Sequence, residues 1–327
     1  LKTALGLLFN FDASGSGTDL RESAGRPDIA ILNAIGIDAA SIGNHEFDLG
    51  PTEFASMVLP DVRSGGLPRM RHYGAAFPLL SANLDFSRVP PGESALAARS
   101  TSELLPASRF RANPATDSSY VSTAAADIAR HPKLARATLI ERGTERIGVL
   151  GVTPPDLANI SSPGSVRVTG PQGATAASPR TYDIEALAAH LQPVIDALRT
   201  NGCNKIVLSS QLQQIENELA LARALDGVDV IVAGGSGTIL VNDPNNLLPG
   251  DNATARYPIL TTDKHGRTVA IVSTEGQYQY LGQLAVDFDN EGHVVGVAGD
   301  TLPATASKVA SVWGSADPYA PGSRSAA

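Results

Sequence analysis

The stretch that decides the fold covers residues 27–50 and reads PDIAILNAIGIDAASIGNHEFDLG. Its Pro-Asp start is typical of a first helical turn and Gly36 of a helix end, so we predict a helix up to residue 35. Residues 39–42 predict a buried strand that leads into a loop, and such loops carry the chemistry of many α/β proteins. One Asn, one His and two carboxylates follow within five residues. This octet, residues 41–48, therefore predicts a metal or phosphate site.

Composition and charge exclude several classes of partner and site. The chain has 327 residues and a formal net charge of -8, with a pI near 5.2. An acidic chain is a poor partner for a nucleic-acid backbone or an anionic membrane surface. Cys203 is the only cysteine, which excludes an intrachain disulfide and a thiolate metal cluster. No run approaches the ~20 apolar residues of a transmembrane helix, so we predict no membrane insertion.

Periodicity predicts an α/β arrangement in the rest of the chain. Strand-like alternation around a turn predicts a hairpin at 137–152, and apolar residues at helical spacing predict a helix at 183–199. The segment 205–233 predicts a β-α-β unit whose helix covers 211–225. From Tyr257 onward, alternating segments separated by turns predict antiparallel strands. We therefore predict one α/β domain in which helices cover mixed sheets.

The predicted domain organisation has three parts. Residues 1–20 are interpreted as an N-terminal remnant or linker, and residues 21–313 as the folded domain. Within that domain, residues 85–133 show little periodicity and predict a long surface excursion. The Pro-, Gly-, Ser- and Ala-rich residues 314–327 predict a tail or linker toward an absent C-terminal domain.

Four passages together resemble a known family. They are residues 43–48, 80–84, 205–238 and 272–278. In their order and spacing they resemble the calcineurin-like metallophosphoesterase superfamily, specifically the N-terminal domain of bacterial 5'-nucleotidase and alkaline phosphatase-like proteins. The resemblance implies a four-layer α/β fold, with two mixed β-sheets sandwiched between helices. It also implies that this chain is truncated, incomplete at its N-terminus, and degenerate in its metal motifs.

The resemblance also implies a function and a site. Such enzymes hydrolyse phosphate monoesters of nucleotides or similar small molecules, using two divalent metal ions (Zn, Mn, Mg or Ca) to activate water. Asn44 matches a metal ligand, while His45 and Asp48 match a catalytic pair that stabilises charge on the phosphoryl group. The expected partner is a small phosphate ester or nucleotide, with no nucleic-acid polymer. The expected location is periplasmic or extracellular.

Most metal-ligand positions of the family are not matched. Two motifs should precede the octet, and the carboxylates available there, Asp12 and Asp19, lie in a Gly/Ser-rich stretch without a preceding strand. Gln211 follows Ser210 where the family has a histidine, and Gly237 stands in the last histidine-bearing motif. Asn44 alone is a neutral ligand and is insufficient for a divalent ion. We therefore expect that this chain does not assemble the two-metal centre.

The remaining histidines and one glycine carry further expectations. His72 and His131 are expected in irregular surface segments, His190 on a helix, and His265 and His293 at turns. None of them is predicted to be a ligand. His45 is expected at a loop surface. Gly43 is expected to matter if the loop requires a positive φ at that position.

Two functional hypotheses stay open from the sequence. In the first, the chain is a metal-dependent phosphomonoesterase, although activity of this chain alone is doubtful. In the second, it is a catalytically inactive, degenerate phosphatase-like domain with a binding or structural role. A weaker third interpretation is a nucleotide-binding module that uses residues 234–237 as a phosphate cradle. That run follows a predicted strand but lacks the Lys and the spacing of a P-loop.

Overall fold

Short strands and helices alternate along the chain from Arg26 onward. The computed structural model describes residues 25–62, 70–87, 89–90, 95–111, 119, 122, 124–173, 181–276 and 278–305. The helices are α1 (Arg26–Ile35), α2 (Gly50–Val58), α3 (Ala95–Ala98), α4 (Ala125–Arg130), α5 (Leu157–Ile160), α6 (Ile184–Thr200) and α7 (Ile215–Ala224). The strands are β1 (Ala40–Ser41), β2 (Asp61–Val62), β3 (Met70–His72), β4 (Leu79–Leu80), β5 (Leu84–Asp85), β6 (Ser100–Thr101), β7 (Leu105–Pro106), β8 (Leu134–Ala135), β9 (Ala137–Arg142), β10 (Glu145–Val152), β11 (Arg167–Val168), β12 (Lys205–Gln211), β13 (Val230–Gly234), β14 (Ile259–Thr262), β15 (Thr268–Val272), β16 (Tyr280–Phe288) and β17 (Val294–Pro303).

A seven-stranded sheet has the order β14-β15-β13-β12-β10-β9-β7. Its central strands β10, β12, β13 and β15 are parallel, whereas β9 and β14 run antiparallel to their neighbours β10 and β15. Parallel neighbours need crossover connections: α6 connects β10 to β12, and α7 connects β12 to β13. Both helices bury their apolar sides against the sheet, where Leu191 and Ile195 pack in one core cluster with Leu208 and Ile231. Asp183 caps α6, because its carboxylate accepts the N–H of Ala186.

A four-stranded sheet has the order β1-β4-β8-β6, and all of its pairings are parallel. The helices α1 and α2 cover it through a second core cluster that includes Ile29, Phe54, Leu79 and Leu134. Pro27 lies in the first turn of α1 and Gly36 ends that helix in the left-handed conformation, with φ 84°. The layers therefore follow the order helices, four-stranded sheet, seven-stranded sheet, helices.

The two sheets pack face to face through a small apolar layer. Leu80, Phe110, Ala135 and Val149 form this layer. The N–H of Ala82 also donates to the carbonyl of Gly151 on β10, at 2.8 Å. A Cβ added at Gly151 would lie 2.1 Å from the carbonyl oxygen of Leu80. Gly151 is therefore the residue that allows the backbones of β4 and β10 to approach this closely.

The predicted fold class is confirmed, with one refinement. The four-stranded sheet is entirely parallel, and only the seven-stranded sheet is mixed. The predicted first helix, the hairpin at 137–152, the helix at 183–199 and both strands of the β-α-β unit are present. The predicted boundaries of the domain, the remnant at 1–20 and the tail at 314–327 stay predictions, because both end segments lie outside the described residues.

Three expectations about secondary structure are wrong. Residues 85–133 are not simply a surface excursion, because β6 and β7 within them pair in the two sheets and Phe110 is buried between the sheets. The strands after Tyr257 are not all antiparallel, since β15 pairs in parallel with β13. The helix predicted at 211–225 begins only at Ile215, because Gln211 still belongs to β12. The last difference moves two glutamines into the candidate site described below.

Candidate functional site

The octet is fixed in place by two buried side chains. Ile42 continues from β1 into the core, and Phe47 packs edge-on against Phe54 of α2, with ring centroids 5.2 Å apart. A single 3-10 turn covers His45–Phe47. Phe47 is the buried residue of this turn, and His45 and Asp48 are left at the surface, as expected for His45.

His45 and Asp48 form a hydrogen-bonded pair. His45 Nδ1 lies 2.7 Å from Asp48 Oδ2, and the side chain of His45 is 76% exposed. The hydroxyl of Ser161 donates to the other oxygen of Asp48 at 2.9 Å, which orients the carboxylate. The hydrogen bond from His45 is the main reason that the pKa of Asp48 is lowered. A carboxylate on Nδ1 favours the tautomer that leaves Nε2 facing away from the pair.

Two further groups near the octet, Glu46 and Tyr278, were given no role from the sequence. Glu46 accepts the N–H of Gly43 at 2.7 Å, and burial raises the pKa of Glu46 despite that hydrogen bond. Tyr278 is an exposed aromatic residue, and the pKa of its phenol is raised by desolvation and by the carboxylate of Asp28 in the first turn of α1. Tyr278 is also close enough to Glu46 to sense its charge. The surroundings of the octet are therefore rich in carboxylates.

Asn44 is buried and is held by two glutamines from β12 and the loop after it. The amide nitrogen of Gln213 lies 2.9 Å from Asn44 Oδ1, and that of Gln211 lies 3.2 Å from the same atom. An amide oxygen has two lone pairs, so both acceptor positions of Asn44 are used. Gln213 has a φ of 65°, a left-handed conformation that costs a non-glycine residue about 1 kcal/mol or more.

Glycines make room for these glutamines. A Cβ at Gly43 would lie 2.5 Å from Gln211 Oε1, and a Cβ at Gly235 would lie 2.7 Å from Gln213 Nε2. Gly43 does not have a positive φ, so the expected reason for its importance is wrong. The requirement at Gly43 is instead space for the side chain of Gln211.

The other passages that carry the resemblance also meet at this edge of the sheets. Asn83 is buried and donates to the carbonyl of Thr153, whose hydroxyl in turn donates to the carbonyl of Ile42 at 2.6 Å. The run 234–238 follows β13 as predicted, but Ile239 after it forms a bridge with Thr274 instead of starting a helix. The phosphate-cradle interpretation needs a helix there, so the structure argues against it.

The remaining histidines do not join the octet. His72 and His131 were expected at the surface, and this is wrong: they are 3% and 5% exposed. His72 Nε2 lies 2.6 Å from the carbonyl oxygen of Met57, and burial lowers the pKa of His72 to about 4. His190 lies on α6, as predicted.

The metal centre implied by the resemblance does not fit the residues described here. Among the described residues, no three His, Cys, Asp or Glu side chains are grouped so that they could hold a metal ion. The acceptor lone pairs of Asn44 face amide donors, and Glu46 and Asp48 are each engaged by neighbours. Asp12 and Asp19, the carboxylates considered from the sequence, lie outside the described residues.

Comparisons with known proteins find relatives that are named 5'-nucleotidases. No family model matches. The 5'-nucleotidase of Bos taurus is 28% identical over 273 residues, which cover 83% of this chain and 36% of that protein. The snake venom 5'-nucleotidase of Naja atra is 26% identical over 280 residues, covering 85% of this chain and 40% of that protein.

Solved structures agree with these relatives. The 5'-nucleotidase precursor of Thermus thermophilus superposes with a TM-score of 0.58 at 26% identity, covering 86% of this chain and 42% of that one. The chain is a homologue of the 5'-nucleotidases. The resemblance to the calcineurin-like metallophosphoesterase superfamily is thereby confirmed. The NAD nucleotidase of Haemophilus influenzae shares the fold, with a TM-score of 0.54 at 23% identity over 85% of this chain and 38% of that one.

The homology covers only part of each relative. The chain spans about a third of the length of the Bos taurus 5'-nucleotidase that it matches. Among the described residues, none of the helices combines the length and the apolar character that crossing a bilayer requires.

Proposed function

We propose that this nucleotidase homologue acts on phosphate monoesters of nucleotides or similar small molecules, with His45 and Asp48 beside the phosphoryl group. The single observation that carries the proposal is the His45–Asp48 pair at the surface, in which Nδ1 of His45 lies 2.7 Å from Oδ2 of Asp48. The buried side chain of Phe47 anchors the turn that holds the pair. The relatives support the substrate class, since two of them are named 5'-nucleotidases. A periplasmic or extracellular location is part of the proposal, and the venom origin of one relative supports it.

The pair can act through its imidazole. With Nδ1 bonded to Asp48, the exposed ring of His45 presents Nε2 to a bound ligand. In the imidazolium form of His45 both ring nitrogens carry a hydrogen, so the Nε2–H can donate to a phosphoryl oxygen and stabilise the negative charge that grows there during transfer to water. Asp48 accepts the hydrogen bond from Nδ1 and fixes the ring orientation, and the hydroxyl of Ser161 orients Asp48 in turn. We derive no step through a metal ion, because the described donors do not fit one.

The test is release of inorganic phosphate from AMP and from p-nitrophenyl phosphate, in chelator and in added Mn²⁺, Zn²⁺ or Ca²⁺. His45→Ala should lower kcat/KM about 100-fold or more. The exposed turn residue His265 provides a matched control, and His265→Ala should keep the wild-type rate. Because the pair is exposed, His45→Ala should also change the free energy of unfolding by less than about 0.5 kcal/mol. Equal rates for wild type and His45→Ala would contradict the proposal.

A second candidate function is a phosphatase-like domain that binds without hydrolysis. The hydrogen bonds from Gln211 and Gln213 to Asn44 favour it, because they engage the one ligand position that the octet offers. The same assay separates the two candidates. Binding of AMP by the wild type without phosphate release under any of the metal conditions would favour the second.

A further inference from the structure

We propose that Asn44, Gln211 and Gln213 form a metal-free hydrogen-bonded link between the two sheets, which replaces metal ligation by Asn44. Asn44 follows β1 of the four-stranded sheet, whereas Gln211 ends β12 of the seven-stranded sheet. The two hydrogen bonds to Asn44 Oδ1, of 2.9 and 3.2 Å, therefore join the sheets at the edge where the octet lies. We call these three residues the amide cluster.

The packing around the amide cluster is specific to amide side chains. Gly43 and Gly235 leave the space that the glutamine side chains fill, with hypothetical Cβ contacts of 2.5 and 2.7 Å. Asn44 precedes the 3-10 turn, where an Asn side chain usually caps, yet its side chain makes no capping bond. Its oxygen is committed to the glutamines instead.

The geometry also opposes a cation at this position. Both groups that approach Asn44 Oδ1 are N–H donors, which carry positive partial charge toward the place where a hard cation would have to bind. Gln213 keeps this arrangement at the cost of a left-handed backbone, with φ 65°. Removing Asn44 should leave the amide groups of both glutamines without this acceptor, which lowers stability.

The first test measures metal. Wild-type protein is dialysed against EDTA, then against Mn²⁺ or Zn²⁺ and then against metal-free buffer, and its metal content is determined by inductively coupled plasma mass spectrometry. We expect far less than one ion per chain and the same melting temperature in EDTA and in Mn²⁺. A content near two ions per chain, or a melting temperature that falls on chelation, would overturn the proposal. This readout involves no catalysis, so it stands whether or not the chain releases phosphate.

The second test measures the energetic coupling between Asn44 and Gln211 through the melting temperatures of single and double variants. Asn44→Leu and Gln211→Leu should each lower the melting temperature by about 2 to 4 °C, equally in EDTA and in Mn²⁺. The double variant should lose less than the sum of the two, because the hydrogen bond between Asn44 and Gln211 is already absent in each single variant and can be lost only once. Asn44→Asp keeps both acceptor positions and should melt close to the wild type in EDTA. Gln283→Leu, the same change at an exposed position of β16, should have no effect. Additive losses would show that the cluster is not a linked unit and would contradict the proposal.

Discussion

Gly151→Ala should lower the free energy of unfolding by about 3 kcal/mol or more, because a single added methyl group has no room between the two sheets. The Cβ would lie 2.1 Å from the carbonyl oxygen of Leu80. A backbone atom within a paired strand cannot move to relieve this clash, whereas the end of a flexible side chain can. The substitution would also strain the hydrogen bond from the N–H of Ala82 to the carbonyl of Gly151. Urea denaturation followed by circular dichroism measures the loss.

The same substitution at two other glycines provides controls for the stability loss expected of Gly151→Ala. Gly148 lies three residues earlier on β10 and faces the side chains of Ile206 and Leu198, which are able to shift, so Gly148→Ala should cost less. Gly276 has open space around it and no positive φ, and Gly276→Ala should stay within about 0.5 kcal/mol of the wild type. If Gly151→Ala were as stable as Gly276→Ala, the close packing of β4 against β10 would be refuted.

The buried carboxyl group of Glu218 should contribute a loss of stability as the pH rises from about 4.5 to about 7. Burial raises the pKa of Glu218 from 4.5 to about 7, although Ser210 and the N–H of Leu212 donate to one of its oxygens. The folded state therefore holds a proton that the unfolded state has lost across this window. A pKa difference of that size corresponds to about 3 kcal/mol, present below pH 4.5 and lost above pH 7.

Comparison with Glu218→Gln isolates this contribution. The variant keeps an acceptor for Ser210 and carries no titratable group at this position. Its unfolding free energy should therefore not show the part of the decrease between about pH 4.5 and pH 7 that is due to Glu218. Other buried groups contribute to both profiles: Asp229, whose pKa burial raises to about 6, acts in the same direction as Glu218, and His72, whose pKa burial lowers to about 4, acts in the opposite direction. The difference between the two profiles removes these contributions. Glu185→Gln, at an exposed position of α6, should follow the wild type. Parallel profiles for Glu218→Gln and the wild type would contradict the prediction.

Much of the fold could be predicted because its signals are local. Gly36 ends α1 through its left-handed conformation, and the helical spacing of Leu191 and Ile195 identifies the face of α6 that packs on the sheet. The octet could be placed after a strand for the same reason. The side chains of His45 and Asp48 are three residues apart on one turn, so their contact follows from local geometry.

The features that could not be predicted depend on long-range contacts. β6 and β7 have two residues each and exist only because distant strands pair with them, so no periodicity marks them. His72 is buried because Met57, 15 residues away, offers a carbonyl oxygen. The left-handed backbone of Gln213 has no sequence signal, since glutamine is not a residue type that favours it. The amide cluster therefore becomes visible only in three dimensions.

Titration with a nucleoside monophosphate, observed at His45 by proton NMR, tests the central claim of phosphate-ester recognition most directly. The Cε1–H resonance of His45 is identified by its loss in His45→Ala. AMP and inorganic phosphate should both shift this resonance, adenosine should not, and the resonance of His265 should stay in place throughout. If AMP left the His45 resonance unmoved, or if adenosine shifted it as far as AMP does, the placement of the phosphoryl group beside His45 and Asp48 would be wrong.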